Sequence, residues 1–103
     1  MNLTNEFEPI REWAKERGIY EKGDPKTQCI KLMEEVGELS RAILKENNEE
    51  FRDAIGDCVV VLTNLAALKN YKIETCVNDA FTVIANRTGT MINNTFVKDN
   101  GLE

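Results

Sequence analysis

Apolar residues recur every three to four positions over most of the chain, and little interrupts them. The only prolines are Pro9 and Pro25, so nothing after Lys26 forbids a helix. The spacing predicts a first short helix starting between Asn5 and Pro9 and ending at Gly18, then a loop over Tyr20–Asp24. Asp24 followed by Pro25 is a helix start, with the aspartate as cap and the proline in the first helical position. The second helix runs from Pro25 to about Glu46. Cys29, Ile30, Leu32, Met33, Val36, Leu39, Ile43 and Leu44 cover half its circumference, and Lys31, Glu34, Glu35, Glu38, Arg41 and Lys45 fill the other half. Asn47 and Asn48 break this helix and cap the next, with Glu49 and Glu50 in its first turn.

The third helix is predicted from about Asn48 to Lys69. Phe51, Ala54, Ile55, Cys58, Leu62 and Leu65 form one stripe, and beyond Cys58 apolar residues occupy nearly every side. The run of valines reads as helix and not strand, because the segment is long and has no Gly or Pro after Gly56. A helix apolar all round is buried all round. A chain this small has too little other protein to cover it, so the third helix is expected in a subunit interface. A fourth helix is predicted over about Lys72–Arg87, with Ile73, Val77, Ala80, Phe81 and Ile84 as its core stripe and Gly89 as C-cap. In the tail, about 91–103, Asn93-Asn94 and Asn100-Gly101 are turn residues and Thr95–Lys98 is extended. The class is all-α, a four-helix bundle in a single domain over residues 1–103.

Composition narrows the chemistry. The 103 residues carry 13 basic and 18 acidic side chains, a net charge of −5, and no histidine. An acidic chain lacks the basic footprint of a nucleic-acid polymer binder. Without histidine, His-based triads, His-ligated zinc and His-ligated haem are excluded. Cys29, Cys58 and Cys76 are widely spaced with no CxxC pair, which reads as reduced thiols buried in the helices of a cytoplasmic protein. The N-terminus is polar and acidic, unlike a signal peptide. The longest uncharged run, Cys58–Leu68, is too short to cross a bilayer, so no membrane partner is expected. A domain this small buries only about 60–70% of its unfolded surface, and self-association is a ready remedy.

The acidic residues carry the candidate chemistry. Glu34 and Glu38 are four apart and Glu35 and Glu38 three apart, so the second helix stacks carboxylates on adjacent turns. In the third helix Glu50, Asp53 and Asp57 share a stripe that Asn64 continues. Asp57 sits at the edge of the apolar run, where an unpaired carboxylate is costly to desolvate. If the two helices pack side by side, these acids converge and need cations. Without histidine, the cation is hard and oxygen-liking: Mg²⁺ first, with Mn²⁺ or Ca²⁺ as alternatives. Such ions also let an acidic protein hold a nucleotide by bridging carboxylate to phosphate. The plainer alternative is a solvated helix face, with Lys31 pairing to Glu34 and Glu35 and Arg41 to Glu38.

The segments Lys31–Ser40, containing Glu34-Glu35-Val36-Gly37-Glu38, and Asp53-Ala54-Ile55-Gly56-Asp57 followed by Cys58–Leu62 resemble the MazG-like all-α nucleoside triphosphate pyrophosphohydrolases, especially their short, often phage-encoded members. Trp13–Gly18, Asp24–Gln28, Arg87–Met91 and Phe96–Lys98 are similar to the opening and close of that family. The resemblance implies Mg²⁺-dependent cleavage between the α and β phosphates, giving a nucleoside monophosphate and pyrophosphate, in a homodimer or homotetramer. Carried over onto the family's EExxE and ExxD pattern, Glu35 and Glu38 become metal ligands, Glu34 a supporting acid and Asp57 the last acid. The first acid of ExxD falls on Ala54, a departure for which neighbouring Asp53 is the candidate substitute. The resemblance further implies that water attacks the α-phosphorus in line, with Glu38 or Glu35 taking its proton. Lys31, Arg87 and Lys98 either hold phosphates or are solvated surface cations. Trp13 either stacks on a base or pins the first helix. Asn64 and Asn78 either bond substrate or satisfy helix contacts. The rival readings are a non-catalytic helical oligomer acting as a binding or regulatory module, which Ala54 favours, and a metal-buffering protein.

Overall fold

The computed structural model describes residues 4–99. Five helices and one hairpin follow in chain order: α1 (Thr4–Glu16), α2 (Ile19–Lys22), α3 (Pro25–Leu44), α4 (Asn48–Leu68), α5 (Ile73–Ile84), β1 (Gly89–Ile92) and β2 (Thr95–Lys98). The fold is all-α, as expected, with one more helix than the periodicity suggested. The predicted loop over Tyr20–Asp24 begins instead as the single-turn α2. Gly18 adopts a left-handed φ of 79° and its carbonyl accepts from Lys22 N, while Gly23 N donates to Ile19 O at 2.8 Å. A Cβ at Gly23 would run into that carbonyl, so glycine is needed there. One turn is too short to leave a periodic signal.

The long helices begin where their caps lie. Asp24 accepts from Thr27 N at 2.9 Å to open α3, and Asn47 accepts from Glu50 N at 3.0 Å to open α4. Only three residues link α3 to α4, which forces them into an antiparallel pair, and this is the most extensive packing in the chain. Helix α4 is the centre: α1, α2, α3 and α5 all pack on it. The buried apolar residues are small, Ala14, Ala42, Ala54 and Val61, so the backbones approach closely. Thr63 is buried on α4 and satisfies its hydroxyl on Val59 O at 2.7 Å. Arg11 of α1 clasps the first turn of α5 through both carboxylate oxygens of Glu74, at 2.7 and 2.6 Å, and also contacts Glu8.

Three expectations are corrected. The stripe on α5 is not a core within this chain: Ile73 is half-buried, but Val77, Phe81 and Ile84 are exposed. The cysteines are not all buried either, since Cys29 and Cys76 are exposed and Cys58 is half-buried. Periodicity identifies an apolar face without saying what covers it. Gly89 does not cap a helix; α5 ends at Ile84 and Gly89 opens β1, against Val97 O and the Phe96 ring. The tail, predicted as a short extended piece, is an antiparallel hairpin pairing Gly89 with Lys98 and Ile92 with Thr95. Its turn residues Asn93 and Asn94 both have positive φ, 51° and 65°, which matches the strand twist. The predicted turn at Asn100-Gly101 lies outside the described residues. Among the described residues, no helix is long and apolar enough to cross a membrane.

Candidate functional site

Close packing of α3 on α4 brings three carboxylates together. Glu35 and Glu38 stand one turn apart on α3, and Asp57 faces them from α4. One oxygen from each lies within 4.8 Å of the other two. Glu35 is the member that marks the site as more than a solvated acidic face. It is only 6% exposed, and its Oε2 is buried without a hydrogen-bond partner among the described residues. Its Oε1 lies 3.3 Å from Lys31 Nζ, but that lysine is itself half exposed. A buried carboxylate with an unsatisfied oxygen is expensive unless a cation sits beside it.

The neighbouring groups register the same concentration of charge. Burial, then the charges of Asp53 and Glu35, push the Asp57 carboxyl above its usual range; Lys31 opposes this, and a hydrogen bond to Glu35 is open only to the protonated form. Glu35 holds the Lys31 ammonium protonated above its ordinary value. Burial and the charges of Glu35, Asp57 and Glu38 push the Cys58 thiol up, leaving it a poor nucleophile. An all-oxygen donor set with a vacant coordination direction on Glu35 fits a hard divalent cation.

Not every candidate ligand joins this cluster. The Glu34 side chain is 63% exposed and lies 3.9 Å from Lys31 Nζ, one residue around the helix from Glu35. Asp53 lines a second pocket, of about 290 Å³, which Glu38 of the cluster shares along with Arg41 and Lys45. Its charge reaches Asp57, but its carboxylate is not one of the three that meet. Ala54 is 3% exposed at the α3–α4 contact and offers no ligand.

Glu35 and Asp57 open into a pocket of about 340 Å³ that Trp13, Lys31, Gln28 and Asn64 also line. Two of the four expected substrate contacts, Trp13 and Lys31, therefore share a cavity with Glu35 and Asp57, while Glu38 lines the neighbouring one. The other two, Arg87 and Lys98, line a different pocket of about 410 Å³ with Val83 and Asn86. Trp13 is half exposed, with the Arg17 guanidinium 5.7 Å from its ring centroid. Sequence reasoning missed Tyr20, whose hydroxyl donates to Asn64 Oδ1 at 2.8 Å. Reading its segment as a loop gave it no position relative to α4. Asn78 lies exposed on α5, away from this pocket.

Residues 24–91 match the MazG nucleotide pyrophosphohydrolase domain. The chain belongs to this family. The match begins at the Asp24 cap and takes in all three converging acids of this MazG domain. A protein of Haemophilus phage HP1 (strain HP1c1), described as an uncharacterized 18.2 kDa protein in the rep-hol intergenic region, is 46% identical over 65 residues. That stretch is 63% of this MazG chain and 40% of the phage protein, so the likeness covers well under half of the relative's length. No solved structure matches the chain.

Proposed function

We propose that this MazG domain is a Mg²⁺-dependent nucleotide pyrophosphohydrolase that cleaves nucleoside triphosphates between the α and β phosphates. The observation that carries the reading is the buried Glu35 carboxylate, its Oε2 unpartnered among the described residues, meeting Glu38 and Asp57 beside a pocket of about 340 Å³. Glu35, Glu38 and Asp57 would hold Mg²⁺, with Mn²⁺ as the alternative. Such an ion supplies positive charge to phosphate oxygens and lowers the pKa of a coordinated water.

The chain's own residues do the rest. Lys31, at the same pocket, offers its ammonium to the phosphates, and the Trp13 face offers a surface for the base. Glu38 is the exposed member of the trio, and as a carboxylate it takes the proton of the attacking water. The new bond joins water oxygen to the α-phosphorus. The bond from that phosphorus to the bridging oxygen breaks, and pyrophosphate leaves with the electron pair. Arg87 and Lys98 line a cavity that the three acids do not share, so they serve phosphates only where a second copy brings them in.

Self-association belongs to the same proposal. The radius of gyration is 16.3 Å, where a compact chain of this length has about 13 Å. The apolar faces of α5 and the hairpin are exposed. A homodimer or homotetramer would cover them.

Ala54 favours the second reading, a helical oligomer that binds nucleotide or metal without turnover, because it withholds a carboxylate from the α4 side. Incubation with mixed nucleoside triphosphates and Mg²⁺, followed by a pyrophosphate assay, separates the two. Release that disappears in Glu38→Gln supports the enzyme. Absence of release from wild-type protein that still binds Mg²⁺ supports the alternative.

A further inference from the structure

The pocket beside the acids is lined by a polar group that the phosphate chemistry does not use. Asn64 is 3% exposed and lines this pocket on α4. Among the described residues, the one hydrogen bond its side chain makes is the one Oδ1 accepts from Tyr20. Tyr20 is not part of the pocket lining. The carboxamide is thereby held by its oxygen, and Nδ2 is left as the donor it can offer to an occupant. Among the described residues that donor carries no hydrogen bond, and it is not a fully enclosed atom, so an occupant with an acceptor at that point can reach it.

Position along the helix indicates which part of the occupant arrives there. Asp57 and Asn64 are seven residues apart on α4, on one face, which is about 10 Å along the axis. That separation is comparable to the reach of a nucleoside from its 5′-oxygen to the far edge of its base. Trp13 lines the same cavity and offers a ring face.

We propose that Asn64 is the base-reading residue of this pocket, donating from Nδ2 to a keto oxygen on the far edge of the base, and that Tyr20 is the positioning residue that fixes the carboxamide. This rests on the reading of the pocket as a nucleotide site. The substrate class is then nucleotides of uracil, thymine and guanine. Cytosine and adenine present an amino donor at the corresponding place, which would face Nδ2 donor to donor. Burial pushes the Tyr20 hydroxyl above its ordinary range, so it stays a protonated donor at neutral pH.

Trp13 is the only tryptophan in the chain, so its fluorescence reports entry into this pocket without requiring turnover. Wild-type protein is titrated with UMP, GMP, CMP and AMP, and the expected result is that UMP and GMP bind about tenfold tighter than CMP and AMP. Asn64→Leu abolishes this preference. Asn64→Asp, which can only accept when ionised, abolishes or inverts it. Tyr20→Phe weakens it while Mg²⁺ binding, followed separately by calorimetry, is unchanged; this guards against buried-site variants that fold poorly. Equal affinity of wild type for the four nucleotides, no quenching by any of them, or a ranking that survives both Asn64 variants overturns the assignment. Pyrophosphate release by wild-type protein tests the enzymatic reading independently, so either can fail alone.

Discussion

Glu35 of α3 and Asp57 of α4 bring carboxylate oxygens within 4.8 Å across the helix pair, while Glu35 Oε2 has no hydrogen-bond partner among the described residues. Two negative charges at that separation repel by about 1–3 kcal/mol at the effective dielectric of a half-buried site. In the absence of divalent ions, Asp57→Asn therefore raises the melting temperature of the protein. Addition of Mg²⁺ stabilises wild type by about 1.4 kcal/mol for each tenfold excess over Kd, and the variant gains much less. Scanning calorimetry in EDTA and in Mg²⁺ measures both. An Asp57→Asn protein less stable than wild type in EDTA would contradict the picture of an uncompensated acid pair.

The acids separate into those that meet and those that only lie near. Glu38→Gln removes the proposed proton acceptor and lowers kcat by about 10²–10⁴-fold with the helical spectrum intact. Glu34 points to Lys31 and solvent, and Asp53 lies in the neighbouring pocket. Glu34→Gln therefore changes kcat/KM by no more than about twofold, the range of surface substitutions, whereas Asp53→Asn, which removes a charge acting on Asp57 from a pocket that Glu38 also lines, has a larger effect. Steady-state pyrophosphate release on the three proteins is the check. Equal losses in Glu34→Gln and Glu38→Gln would mean that the wrong carboxylates have been grouped.

A pH-dependent contribution to stability comes from the clasp between Arg11 and Glu74. The Arg11 guanidinium hydrogen-bonds the Glu74 carboxylate and holds its pKa below the usual 4.5. A carboxyl depressed on folding stabilises the protein above its unfolded pKa, and that contribution is lost as pH falls through the folded value. Glu74→Gln thus costs about 2 kcal/mol at pH 7, the scale of charge-assisted hydrogen bonds in a part-buried site. The gap from wild type closes in strongly acidic buffer. Urea unfolding of both proteins at neutral and acidic pH tests the sign; a gap that widens toward acid is the opposite outcome.

Much of the scaffold was legible because the signals were local. Asp24-Pro25 and Asn47-Asn48 announce helix starts through their own backbone bonding, and the structure uses both. Helical spacing marked a wider acidic set on α3 and α4, and within it the family resemblance pointed to Glu35, Glu38 and Asp57, whose oxygens meet in the folded chain. Glu34 and Asp53 were grouped with them on the same spacing, which does not resolve a neighbour about 100° around the helix. Tyr20 was not legible at all. Its contact with Asn64 spans 44 residues and depends on how a single-turn helix lies on α4, which no local pattern encodes. The hairpin was half visible, through Asn93-Asn94, but the partner strand before it carries Gly89 and was read as a helix end.

The third helix was expected at a subunit boundary because too little of the chain was available to cover it; α1, α2, α3 and α5 pack on it instead, and α5 and the hairpin leave apolar faces exposed. The accessible surface is 8119 Å², whereas a folded monomer of 11.7 kDa exposes about 5,900 Å². The surplus of roughly 2,200 Å² exceeds the ~800 Å² that each partner contributes to a standard interface. Val77 and Phe81 of α5 and Met91, Phe96 and Val97 of the hairpin supply apolar side chains for it. Multi-angle light scattering at micromolar concentration is expected to give at least the dimer mass. Phe81→Glu places a charge on the face to be covered and shifts the distribution toward monomer. Because Arg87 and Lys98 lie next to that face and apart from the acids, the same variant lowers kcat/KM for triphosphates if they act from a second copy. A wild-type monomer under these conditions, with full activity, would show that the apolar faces serve something other than self-association.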